Sequence, residues 1–240
     1  MPDLLAAKMI DLSTFLSHPR VVATVHQPED LAWLRQAPAI SEQCDLLEFR
    51  LDNLRHHLEE VRETMRASSV PCLITARHPE EGGAGNLDEE TRKDLLADFM
   101  PHAALLDMEI RSLPAMSDLI AEAKSLGAGI VASCHDFGKT LPEADLKAAM
   151  TAAQAGSADV VKIAMTLNSM QDLASLALLT ESAVADGTRI SAMGMGRFGK
   201  VSRLVLAAAG SCLNYGYLRV ANAPGQWPAA ELKRLIQEVA

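Results

Sequence analysis

The sequence predicts an α/β protein folded as one (β/α)8 barrel, a TIM barrel in a single domain. Three observations carry that prediction. Short apolar runs alternate with longer amphipathic ones along the whole chain. There are eight such pairs in 240 residues, and a unit of about 30 residues is the length of one strand and one helix. No break in composition or linker divides them, and strict alternation implies a parallel sheet. An open, doubly wound sheet is the competing arrangement.

The first unit is a strand over 21–25 and a helix over 28–37, with Pro28 in the first turn, where a missing N–H costs nothing. In the second, a strand over 44–52 alternates Leu47, Phe49 and Leu51 with Glu48, Arg50 and Asp52. Its helix, 53–67, sets Leu54, Leu58, Val61 and Met65 on one face. The third strand, 71–77, ends in Arg77 and leads to a helix over 88–100. The fourth unit pairs 103–110 with 114–126, closed by Gly127. The fifth, 128–136 with 142–155, opens its helix near Pro142 and ends it at Gly156. In the sixth, Lys162 interrupts an apolar strand over 159–165. A capping pair, Ser169 and Asp172, starts the helix over 169–186, and Gly187 follows it. The seventh pairs 189–195 with 201–209 and Gly210; the eighth pairs 214–220 with 228–239, opened by Pro228. Residues 1–20 are a candidate cap for the barrel floor.

Composition narrows function. A net charge of −9 and a pI near 5.2 argue against nucleic-acid or anionic-membrane partners. The longest uncharged run, 204–218, is too short to span a bilayer and carries Asn214 and Tyr215. No basic-then-apolar leader is visible at the start, and the cysteines at 44, 72, 134 and 212 have no metal-ligand spacing. Reduced thiols in a cytoplasmic protein are the expectation.

Strand alternation aims Glu48, Arg50, Asp52, Arg77, Glu109, His135 and Lys162 inward near the C-terminal rim, where barrel enzymes place their chemistry. An ammonium inside an apolar strand is costly unless paired. Left unpaired, Lys162 is a nucleophile for a ketone or aldehyde. Its alternative is a buried ion pair with Asp107 or Glu109. An amine clamped by such an acid, or facing the outer helices, would argue against attack on a carbonyl. His135, one strand earlier, suits acid–base work. Glu81, in the loop after Arg77, either orients the imidazole or is a solvated carboxylate.

Arg50, Arg77 and Arg203 imply an anionic small-molecule substrate, with a carboxylate in a bidentate fork. For Arg50 and Arg77 the alternative is an internal network with Glu48 and Asp52. Arg203 is expected in the first turn of its helix, where a cation opposes the dipole and an anion is wanted. Gly194-Met-Gly196-Arg-Phe-Gly199 fits a dinucleotide fingerprint, yet it opens the seventh unit and lacks a following acid. Its glycines are expected to let backbone approach the ligand, with Met193 and Met195 walling the pocket. Asn222 and Gln226, in the last strand-to-helix loop, suit substrate hydroxyls.

These pieces, in order, resemble the type I 3-dehydroquinate dehydratases: Glu48-Phe-Arg50-Leu-Asp52, Arg77-x₃-Glu81-Gly-Gly, Ser133-Cys-His135-Asp-Phe, Val161-Lys162-Ile, Met193-Gly-Met195, Val201-Ser-Arg203 and Ala223-Pro-Gly-Gln226. The resemblance implies a shikimate-pathway lyase of aromatic amino-acid biosynthesis, a homodimer with no metal or cofactor. It would take 3-dehydroquinate to 3-dehydroshikimate by syn elimination. Lys162 would form the imine, His135 would be the acid–base, and Glu81 would orient it. Glu48, Arg50, Arg77, Arg203, Asn222 and Gln226 would meet hydroxyls and carboxylate, and Met193, Met195 and Tyr215 would line the pocket. Three positions depart from the family: Asn222 and Ala23 where serine is usual, and Tyr215 where phenylalanine is. The other readings are a class I Schiff-base aldolase and a silent barrel that senses quinate- or shikimate-like ligands.

Overall fold

A computed structural model describes residues 10–36 and 39–240. Eight strands follow one another: β1 (Arg20–Val25), β2 (Leu46–Arg50), β3 (Cys72–Thr75), β4 (Leu105–Glu109), β5 (Gly129–Asp136), β6 (Val160–Thr166), β7 (Ile190–Met195) and β8 (Leu213–Tyr217). All seven laddered neighbours pair in parallel, in the order β7-β6-β5-β4-β3-β2-β1-β8. The ring closes where β7 meets β8. There the Cys212 N–H donates to Ile190 O (2.8 Å), the Ser191 hydroxyl to Leu213 O (2.7 Å), and the Ala192 N–H to Ser211 Oγ (3.0 Å). This is the barrel that the alternating pattern predicts; the open sheet is set aside.

The helices are α1 (Leu12–Phe15), α2 (Pro28–Leu34), α3 (Ile40–Gln43), α4 (Leu58–Ala67), α5 (Glu89–Phe99), α6 (Ser117–Ser125), α7 (Glu143–Ala155), α8 (Met170–Ala185), α9 (Gly199–Ala208) and α10 (Ala229–Val239). None among the described residues is long and apolar enough to cross a membrane. Leu12, Phe15 and Leu16 pack on the apolar interior of the barrel, and a side chain at Gly129, the first residue of β5, would strike Leu12. That puts α1 at the floor. Residues 1–9 of the expected cap lie outside the described residues.

Boundaries shift where turns intervene. Residues 53–57 form a turn, so the second expected helix starts at Leu58. Ser169 and Asp172 make the reciprocal cap on α8, and Pro28 is the first residue of α2, whereas Pro142 and Pro228 sit one position before their helices. After α7 the left-handed residue is Ser157 (φ 61°), not Gly156. Gly156 is needed for space instead: a Cβ there would lie 2.6 Å from Leu113 Cδ1.

A two-residue period builds the interior. Val22, Leu46, Leu73, Leu105, Val131, Val160 and Leu213 form an apolar ring low in the barrel. Two residues further along the same strands stand Thr24, Glu48, Thr75, Asp107, Ser133, Lys162 and Tyr215, all buried. The intervening residues, such as Ala23, Leu47, Ile74, Val161 and Ile163, face the helices. Ala23 therefore does not stand in for a pocket serine; Thr24 supplies the hydroxyl of β1.

Candidate active site

The polar layer floors a cavity of about 210 Å³ at the C-terminal ends of the strands. Its walls include Thr24, Glu48, Arg50, Arg77, Glu81, His135, Lys162, Met193, Met195, Arg203, Tyr215, Asn222 and Gln226. Every residue to which the family resemblance gives a role thus lines one cavity, and Phe137, Gly82, Ala164 and Ala223 line it as well. Asp52 and Glu109, also expected at the rim, do not line it and are taken up by Arg50 and by Arg77 with Arg92. Among the described residues no three His, Cys, Asp or Glu side chains are grouped to hold a metal.

Lys162 points into this cavity, away from the helical layer, but its amine is not unpaired. Nζ lies 2.7 Å from Asp107 Oδ2 and 3.7 Å from Glu48 Oε1, with the Tyr215 ring 3.9 Å away on another side. The ion-pair alternative is therefore realised, and Asp107 rather than Glu109 is the partner. That acid does not belong to Lys162 alone. Arg77 Nη2 holds Asp107 Oδ1 at 2.9 Å, and the Ser133 hydroxyl donates to the same oxygen at 2.6 Å. Burial alone would raise the Asp107 carboxyl, yet Arg77 and Lys162 hold it well below the usual carboxylate range. Glu48 accepts from the hydroxyls of Thr24 (3.0 Å) and Thr75 (2.9 Å), which fixes it beside the amine.

His135 caps β5. Its Nδ1 lies 3.0 Å from Glu81 Oε2, and the same oxygen accepts the His135 backbone N–H at 3.0 Å. Nε2 has no hydrogen-bond partner among the described residues. Burial, then the charges of Arg77 and Lys162, lower the imidazole well below its ordinary value, so it is neutral near pH 7. Burial, then the charge of Glu109, pushes Glu81 up to about 7. Glu81 is thus a bound carboxylate rather than a solvated one.

The arginines divide. Arg50 grips Asp52 through Nε (3.0 Å) and Nη2 (2.8 Å). Arg77 is engaged by Asp107, Glu109 and Ser133. Both form internal networks, though Arg77 pairs with Asp107 and Glu109 rather than with Glu48 or the Asp52 side-chain charge. Arg203 is different: it is 1% exposed and held by the backbone carbonyls of Tyr215, Gly194, Gly199 and Gly225 at 2.8–3.0 Å. None of the described residues brings a carboxylate within 4.0 Å of it, and burial alone lowers its pKa to about 10. It lies a turn inside α9 rather than in the first turn, because that helix begins at Gly199.

The glycines after β7 serve backbone, not ligand. A Cβ on Gly199 would lie 2.7 Å from Gly225 Cα, and one on Gly225 (φ 79°) would lie 2.7 Å from Gly196 O. The two backbone segments touch there, which docks the β8–α10 loop over Arg203. Within that loop Gln226 Oε1 accepts the N–H groups of Asn222 (3.0 Å) and Ala223 (3.3 Å).

The sequence model of the type I 3-dehydroquinase family matches residues 21–239. The chain belongs to that family. A 3-dehydroquinate dehydratase of Shouchella clausii is 32% identical over 92% of this chain and 91% of its own length. One from Enterococcus faecalis is 31% identical, over 92% of each chain. Among solved structures, the 3-dehydroquinate dehydratase of Geobacillus kaustophilus superposes with a TM-score of 0.81 at 27% identity, covering 92% of this chain and 91% of that one. The type I 3-dehydroquinases are hydro-lyases, so the chain is an enzyme of carbon–oxygen bond cleavage.

Within the family's site, sequence reasoning left out Asp107 as a site residue, together with Thr24, Thr75 and Ser133. The signal was present in the two-residue period of Leu105-Leu106-Asp107-Met108-Glu109. Arg92, on α5, gave no signal, because nothing local distinguishes an inward arginine on a charged helix. Tyr215 carries an unexpected cost: its hydroxyl is buried with no partner among the described residues.

Proposed function

We propose that the chain takes 3-dehydroquinate to 3-dehydroshikimate through an imine on Lys162. The observation that carries the substrate's charge is Arg203, a buried guanidinium with no acid of its own among the described residues. Burying an unpaired cation is costly, and a substrate carboxylate would compensate it with charge-assisted hydrogen bonds. Anchoring that carboxylate at one end fixes the ring over Lys162 and His135, and such positioning is the larger part of the rate gain.

The order of events follows from the charges. The Lys162 ammonium passes a proton to His135, the freed amine attacks the C3 carbonyl, and that proton returns to the carbinolamine hydroxyl, whose departure as water leaves a protonated imine. That iminium takes over the positive charge that Asp107 and Glu48 already face, so the pair that restrains the free amine stabilises the intermediate. With the iminium as electron sink, neutral His135 Nε2 removes the C2 proton. The C1–OH bond then breaks, and His135 returns its proton to the departing hydroxyl as water. Hydrolysis of the imine frees the product. General acid–base help of this kind contributes about 10²–10⁴-fold. Glu81 holds the imidazole; Glu48, Arg50, Asn222 and Gln226 meet hydroxyls, while Met193, Met195 and the Tyr215 ring close the walls. Arg77 acts chiefly by holding Asp107. A homodimer in the cytoplasm completes the reading, the first testable by sedimentation.

Borohydride trapping decides it. With 3-dehydroquinate, a reduced adduct is expected on Lys162 by peptide mass spectrometry, and Lys162→Ala is expected to lose turnover while keeping its fold. Tight ligand binding without an adduct would support a sensor, and global unfolding of Lys162→Ala would make the ion pair structural.

A further inference from the structure

Behind the cavity lies a buried arginine that the proposed chemistry does not use. Arg92 is 1% exposed although it belongs to α5, in the outer helical layer. Its Nε donates to Ala76 O at 2.8 Å and its Nη1 reaches Ser112 Oγ at 3.4 Å. Its Nη2 pairs with Glu109 Oε2. The other Glu109 oxygen accepts from Arg77 Nη1 (2.8 Å) and from the His78 N–H (2.9 Å). Arg77 continues to Asp107, and Asp107 to Lys162. Five charges therefore alternate in sign from a helix to the reacting amine, Arg92, Glu109, Arg77, Asp107, Lys162, and none is more than 3% exposed.

We infer that Arg92 is a positioning residue for imine formation: it keeps Glu109 from monopolising Arg77, so that Asp107 stays shared between Arg77 and Lys162. The inference rests on the imine reading above. Each carboxylate in the chain serves two cations, so neither cation commands a full counter-charge. Without the charge of Arg92, Glu109 leans on Arg77 alone and draws it from Asp107. Asp107 then relies on Lys162, and the amine holds its proton more firmly. Loss of a nearby positive charge acts in the same direction electrostatically. Removing Glu109 reverses the sign: Arg77 turns wholly to Asp107 and the amine is released. The other groups facing Lys162 are Glu48 on β2, the His135 imidazole on β5 and the Tyr215 ring on β8, and both substitutions leave these in place.

The test is the pH profile of borohydride trapping of 3-dehydroquinate on Lys162, measured with thermal melts for Arg92→Gln, Arg92→Lys and Glu109→Gln. For Arg92→Gln the midpoint should move up by about one pH unit, with kcat near pH 7 down about tenfold, KM little changed and the loss recovered at higher pH. Arg92→Lys should keep the wild-type midpoint, and Glu109→Gln should move it down. If Arg92→Gln does not fold, the opposite displacement in Glu109→Gln carries the decision. Unshifted midpoints in folded variants would overturn the role of Arg92 while leaving the imine intact. Failure to trap the wild type would instead remove the imine.

Discussion

Glu81 Oε2 decides which nitrogen of His135 can act as a base, because it contacts Nδ1 at 3.0 Å. While Glu81 is ionised it accepts the Nδ1 proton and leaves Nε2 free. When Glu81 takes up a proton it donates instead, and the ring proton moves to Nε2. The pair titrates as a unit, with Glu81 raised to about 7. In a pH series, kcat/KM is expected to fall below about pH 7, and Glu81→Gln should abolish that inflection while lowering kcat about 10²-fold. A wild-type profile flat from about pH 5.5 to 8 would contradict this. The sign for stability is the reverse. The folded state binds a proton that the unfolded state releases at lower pH, so this contribution is complete below the ordinary carboxylate value and is lost as pH rises through about 7. Glu81→Gln should accordingly melt higher than the wild type at pH 8. At this scale the sequence was readable wherever strand alternation applied, which is why Lys162, His135 and Glu48 fell into place. On pairing it went only part of the way: it offered Asp107 or Glu109 as the partner of Lys162 without choosing, and it gave no sign that Arg203 meets no acid among the described residues.

Elements turn those residues into a site through close backbone contact. The β8–α10 loop reaches Arg203 because Gly225 and Gly199 touch without side chains between them. Gly225→Ala adds a methyl where φ is 79° and where Gly196 O would be 2.7 Å away. The loop must then lift, taking Gly225 O off Arg203 and moving Gln226 and Asn222. Steady-state kinetics should show KM raised about tenfold or more, with thermal stability changed by at most about 1 kcal/mol, as for a strained surface turn. An unaltered KM would mean that the docked loop has no part in binding. Strand faces and the helix starts marked by Pro28 and by Ser169 with Asp172 were legible because alternation and caps are local, whereas the starts of α4, α6 and α9 fell two to five residues from where they were expected. The Gly225–Gly199 contact was not, since it joins two loops whose proximity exists only once the ring has closed.

For the molecule as a whole, the closure between β7 and β8 is the exposed joint. Seven neighbouring pairs share parallel ladders, whereas this one relies heavily on the hydroxyls of Ser191 and Ser211. Replacing both with alanine should cost about 1–3 kcal/mol for each buried partner left unsatisfied. Amide exchange should then quicken first in β7 and β8; uniform acceleration over all strands would show that the joint is no weaker than the rest. The interior has a second property of this kind. Its lower ring is purely apolar and its next level, two positions along the same strands, is almost wholly polar. Stability and chemistry are therefore housed on separate storeys. The upper one can exchange a serine for Thr24 or a phenylalanine for Tyr215 across evolutionary time without the lower one giving way. New substrates can thus be sampled on a foundation that need not be rebuilt.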